Sequence, residues 1–78
     1  MNNKEKYQKV FFDNFPIDKN KLNNLKYNDI SEWDSIGHMT LIGDLENTFN
    51  IAIETDDIID FSSYKKGIDI LKKYKIEI

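Results

Sequence analysis

The stretch Trp33-Asp34-Ser35-Ile36-Gly37-His38-Met39 brings a carboxylate, a hydroxyl and the chain's only imidazole within five residues. Three kinds of chemistry use such groups. Asp34 or Ser35 can cap a helix that starts here, because a short oxygen-bearing side chain accepts a first-turn N–H. Ser35 can be a modification site: a phosphate ester on it would lie beside free helix N–H groups and the positive end of the helix dipole. Asp34, Ser35 and His38 also have the residue types of a hydrolytic triad. The helical wheel argues against that last use. It places His38 on the core side of the helix start, where a partly buried imidazole would be held by a backbone group. A chain this small also offers no evident oxyanion hole or substrate pocket.

The elements that must hold this stretch can be read from periodicity. Tyr7, Val10, Phe11 and Phe15 fall on one face of a helix. Pro16 ends it, since the residue before a proline is pushed out of the α region. Residues 16–33 form a long, polar connection in which Leu22, Leu25, Tyr27, Ile30 and Trp33 serve as pins, with one short helical turn after Asp18. A second helix is predicted over Ser35–Phe49, capped by Asp34, with Leu41, Ile42, Leu45 and Phe49 facing the core. Thr55 is predicted to cap a third, short helix, with Asp56 and Asp57 in its first turn and Ile58, Ile59 and Phe61 as anchors. Ser62 or Ser63 caps the last helix, where Tyr64, Ile68 and Leu71 recur at helical spacing and Lys72, Lys73 and Lys75 suit the C-terminal end. Trp33 and Phe12 are expected to serve the core or pin the loop. Ile51-Ala52-Ile53 is too short to build a sheet. The expected fold is all-α: one domain over residues 1–78, a small four-helix bundle of three main helices and one short one, with a long loop between helices 1 and 2.

Two apolar side chains do not fit the core stripe. Ile36 and Met39 point away from Leu41, Leu45 and Phe49, beside Ser35, and suggest a contact face for something that docks. Charge points to the same region. The 78 residues carry 11 lysines, no arginine and 14 acids, for a formal net charge of −3. Residues 1–26 and 65–78 carry +3 each, whereas residues 27–64 carry nine acids, no lysine and no arginine. Such a segment can be a solvated surface or a docking face for basic partners.

The same composition excludes several classes. An acidic chain without arginine is a poor general nucleic-acid binder. No apolar run approaches the ~20 residues that span a bilayer. The N-terminal residues show no apolar signal segment, and the absence of Cys removes disulfides and thiolate metal sites. A cytoplasmic, monomeric protein without a resident metal is expected.

Asp34-Ser35-Ile36 and the spacing to Leu41, Leu45, Phe49 and Ile53 resemble the acyl carrier protein family. So do the acidic pair Asp56-Asp57 and the later Ser62-Ser63 and Ile68-Asp69. The match runs without a gap from about Asp34 to Leu71, and the chain length suits the rest. The wording from Trp33 to Met39 is similar to specialised stand-alone carriers. Gly37 stands where the main fatty-acid carriers have an acid, Gly43 where they usually have a bulky apolar residue, and Asp44 where they tend to have a small one.

This resemblance implies a 4′-phosphopantetheine arm on Ser35, attached from coenzyme A by a phosphopantetheinyl transferase, with Asp34 assisting at the transferase's magnesium ion. It implies a thiol that carries acyl or aminoacyl groups as thioesters in lipid or secondary-metabolite synthesis. The carrier itself catalyses nothing and presents its cargo to loading and transfer enzymes. Ile36, Met39, Asp44 and Glu46, with Asp56 and Asp57, are the residues expected to meet them. The alternative, from another class, is an unmodified acidic helical adaptor that binds a basic protein.

Overall fold

The computed structural model describes all residues, Met1–Ile78. It is all-helical: α1 (Asn3–Asn14), α2 (Lys19–Leu22), α3 (Ser35–Phe49), α4 (Thr55–Asp60) and α5 (Tyr64–Lys72). No helix is long and apolar enough to cross a membrane. The three longer helices and the short α4 are those expected, and α2 is the single turn after Asp18.

Local chemistry sets the ends of the helices. Asn2 and Glu5 form a reciprocal capping box at the start of α1. At its other end Phe15 is extended, as the residue before Pro16 must be. Ser63 caps α5 by accepting the Lys66 N–H. The α4 cap differs from the expectation. Thr55 is already the first helical residue, and Glu54 takes the cap position without a side-chain bond. The Glu54 N–H donates to the Tyr74 hydroxyl, so a residue distant in sequence holds the chain just ahead of this helix. Asn50 closes α3 in the left-handed region, a conformation Asn tolerates better than most residues.

α1 lies against α3, and Tyr7, Val10, Phe11 and Phe15 meet Leu41, Ile42 and Leu45 in one core of 16 buried residues. Phe12 is on the outer side of α1 and partly exposed, which corrects the expectation of a core role. The buried stripe of α1 is Tyr7, Val10, Phe11 and Phe15, and Phe12 lies on the side of the helix away from it. The long connection is pinned as its apolar residues suggest: Leu22, Leu25 and Trp33 are buried. Backbone pairing adds to this. The Tyr27 N–H donates to the Ser62 carbonyl and the Tyr64 N–H to the Leu25 carbonyl, each at 2.9 Å. The loop is thereby fixed to the α4–α5 junction.

Two glycines in α3 have opposite surroundings. A Cβ on Gly37 would overlap the Glu32 carbonyl oxygen, so the helix start sits hard against the preceding loop. A Cβ on Gly43 would meet nothing within 4 Å. Neither has a positive φ. Gly43→Ala is therefore expected to stabilise the fold by up to about 1 kcal/mol. Gly37→Ala is expected to destabilise it by about 1–3 kcal/mol, as overpacking does. Urea midpoints of the two variants check this, and a shift of the same sign in both would refute it.

Candidate functional site

Ser35 is the first residue of α3 and is exposed. The cap of that helix is made by its neighbour: Asp34 Oδ1 accepts the Gly37 N–H at 2.8 Å, and the Asp34 carbonyl accepts the His38 N–H at 2.8 Å. The Ser35 hydroxyl is thus spared the capping role that would explain it locally. The N–H groups of Ser35 and Ile36 belong to the unsatisfied first turn, which carries the positive end of the helix dipole.

His38 does not serve as a base for Ser35. Trp33 Nε1–H donates to His38 Nδ1 at 3.0 Å, and the opposite ring nitrogen lies 2.8 Å from the Ile58 carbonyl. With Nδ1 accepting, Nε2 carries the proton and donates it to that carbonyl. Both nitrogens are engaged, one of them by a backbone group as the wheel suggested. The ring stacks on Trp33 and meets Tyr27 and Phe61 edge-on. With both ring nitrogens engaged elsewhere, His38 is not placed to take the Ser35 proton.

Ser35 stands on the rim of an open groove of about 360 Å³. His38 and Met39 line it from α3, and Ile58 and Ile59 from α4. Tyr27 of the long loop, with Phe61 and Ser62 of the α4–α5 junction, completes it. No charged side chain is among these residues. Around the groove, Ile36, Met39 and Ile59 expose 77%, 55% and 73% of their surface, so the apolar face extends outward past Ser35. The expectation that Ile36 and Met39 are outward-facing holds, and Ile59 joins them. Ile59 was expected to anchor α4 and instead faces outward, which corrects that expectation; Ile58 beside it is the half-buried one of the pair. Tyr27, Phe61 and Ser62 had no local signal, because they reach the groove only through the loop's attachment to Ser62 and Tyr64.

The acids expected to meet partners divide into two groups. Asp56 is exposed. Asp57 is not; only 7% of it is exposed, which corrects the expectation. Lys73 donates to Asp57 Oδ1, and the Tyr74 hydroxyl donates to Oδ2 at 2.6 Å. Asp57 is a clamp that ties α4 to the chain after α5. Asp44 and Glu46 are half-buried and have internal duties. Asp44 accepts from Asn14 of α1, and Glu46 accepts the Ile53 N–H and so closes the turn after α3. Charge reversal at either would disturb the fold before it tested docking.

The clamp has a pH signature. Hydrogen bonds from Lys73 and Tyr74 hold the Asp57 carboxyl below its ordinary range, and the same bond to Asp57 raises Lys73. A lowered acid stabilises the fold above its ordinary value, near 4, and that contribution is lost as pH falls through the lowered one. A raised lysine stabilises below its ordinary value, near 10.4, and is lost as pH rises through the raised one. Tyr7, raised chiefly by burial, fails on the same alkaline side. Urea midpoints are expected to be level from about pH 5 to 9 and to fall on both sides. Asp57→Asn should lower the plateau and shrink the acid limb. An acid limb unchanged in Asp57→Asn would remove the clamp from this account.

No family model, curated protein or solved structure matches the chain.

Proposed function

We propose that this chain is a carrier protein of the acyl carrier type, modified on Ser35 with 4′-phosphopantetheine. One observation carries the reading. The Ser35 hydroxyl is exposed at the start of α3, relieved of capping by Asp34, and set on the rim of an uncharged groove. These residues fit the arm. Its phosphodiester is an anion, and the free first-turn N–H groups of Ser35 and Ile36 favour an anion there. Asp34 keeps its second carboxylate oxygen outside the cap bond and is the residue to assist attachment at the transferase's magnesium ion.

When bound, the arm supplies the thiol that this Cys-free chain lacks and holds acyl groups as thioesters. The chain's own residues do the rest. Trp33 and His38 fix the start of α3, so that Ser35 is presented at a constant place. Ile36, Met39 and Ile59 offer an apolar contact beside it, and exposed acids such as Asp56 favour enzymes with a basic rim. The partners are the transferase and the loading and transfer enzymes.

Intact mass after incubation with coenzyme A and a phosphopantetheinyl transferase tests the reading. One arm per chain is expected. No gain with several transferases, or a gain that survives in Ser35→Ala, would sink it.

A further inference from the structure

We infer that the groove beside Ser35 holds a short, uncharged acyl group, and that His38 is the stop that keeps longer chains out of the core. The inference rests on the carrier reading and adds the cargo to it.

The stop is geometric. The His38 ring spans the gap between α3 and α4, bonded at one end to Trp33 Nε1 and at the other to the Ile58 carbonyl. The ring lies against Trp33, which is fully buried, and Leu41 and Leu45 of the same helix are buried in the core. The four hollows of the molecule are all open to solvent, and none is an enclosed chamber within the core. A chain entering past Ser35 fills the groove and then meets His38. To go further it must displace the ring and leave the indole N–H and the Ile58 carbonyl without partners, which buried polar groups resist.

Charge sets the second limit. The groove has no charged side chain. The two imidazole nitrogens of His38, which lines it, are already used. An ammonium or carboxylate on the cargo would lose water there and meet no opposite charge. An uncharged acyl group loses little water and covers Met39, Ile58, Ile59 and Phe61. The hydroxyls of Tyr27 and Ser62 remain at the groove for an amide of the arm.

The test loads the chain from hexanoyl-, dodecanoyl- and β-alanyl-coenzyme A with a transferase. Intact mass confirms each product, and amide spectra are compared with the thiol form. Hexanoyl is expected to move the amides of Met39, Ile59, Phe61 and Ser62. β-Alanyl should leave them where the thiol form has them. Dodecanoyl should move the groove amides but not those of Leu41, Leu45 and Leu71. Core amides that move with dodecanoyl, groove amides that ignore hexanoyl, or a β-alanyl shift equal to the hexanoyl one would each overturn the inference while the carrier reading stands. Absence of any mass gain would remove the carrier reading instead, and this inference with it. In His38→Ala, with its fold checked by circular dichroism, dodecanoyl is expected to move the core amides. A folded variant whose core stays still would remove His38 as the stop, and the wild-type series decides the question should the variant not fold.

Discussion

Ser35→Ala is expected to abolish the mass gain from coenzyme A completely while leaving the fold as stable as before, within about 0.5 kcal/mol. The two halves of that result come from different residues. On the carrier reading the hydroxyl is the acceptor, so its loss is all-or-none. Stability is spared because Asp34 caps α3 and Ser35 is exposed at its first turn. Asp34→Ala should behave in the opposite way. It removes the bond to the Gly37 N–H and should cost about 1 kcal/mol, and it should slow attachment without abolishing it. Urea denaturation and intact mass of both variants separate these outcomes. An adaptor that binds a basic protein through its acidic, apolar face predicts something else. The wild type would gain no mass, and Ser35→Ala would retain full function in the cell. A capping role for Ser35 predicts a loss of stability in Ser35→Ala that the Asp34 bond makes unnecessary.

Much of this was legible because it is local. The α3 helix has its expected ends, since the Asp34 cap lies next to the first helical residue and the Leu41, Ile42, Leu45 stripe repeats at helical spacing. The outward turn of Ile36 and Met39 follows from the same wheel, as does the inward turn of His38. What was not legible depends on residues far apart in the chain. Asp57 reads as a first-turn acid facing solvent, and only the approach of Lys73 and Tyr74, sixteen and seventeen residues later, makes it a buried clamp. Glu46 reads as a surface acid until the chain turns back and places the Ile53 N–H on it. The groove draws on the long loop, α3, α4 and the junction to α5, and no spacing rule joins those four pieces. Gly37 reads as an odd residue in a helix, and its reason is a carbonyl five residues earlier that leaves no room for a Cβ.

Trp33→Ala is expected to be the most damaging single change to stability, at about 3–5 kcal/mol. Trp33 is 0% exposed. It stacks on Phe15 at 5.3 Å, meets Phe11 edge-on at 5.7 Å and lies parallel to the His38 ring. Its removal leaves a hole among α1, the long loop and α3, and also leaves His38 Nδ1 without its donor. A domain of this size has roughly 4–12 kcal/mol in all, so the variant should be partly unfolded or close to it at 37 °C. The melting temperature should fall by about 4–8 °C for each kcal/mol lost. Trp33→Phe separates packing from the hydrogen bond. It keeps an aromatic ring in the stack but not the indole N–H, and should cost about 1–3 kcal/mol for the orphaned acceptor. Urea denaturation followed by circular dichroism measures both, and a cost under about 1 kcal/mol for Trp33→Ala would contradict the packing described. The consequence for function follows from position. Trp33 is two residues before Ser35 and is the buried anchor from which α3 emerges. Trp33→Phe, if folded, should still accept the arm at Ser35. Its His38 ring, held at one end only, should let a dodecanoyl chain move core amides that remain still in the wild type.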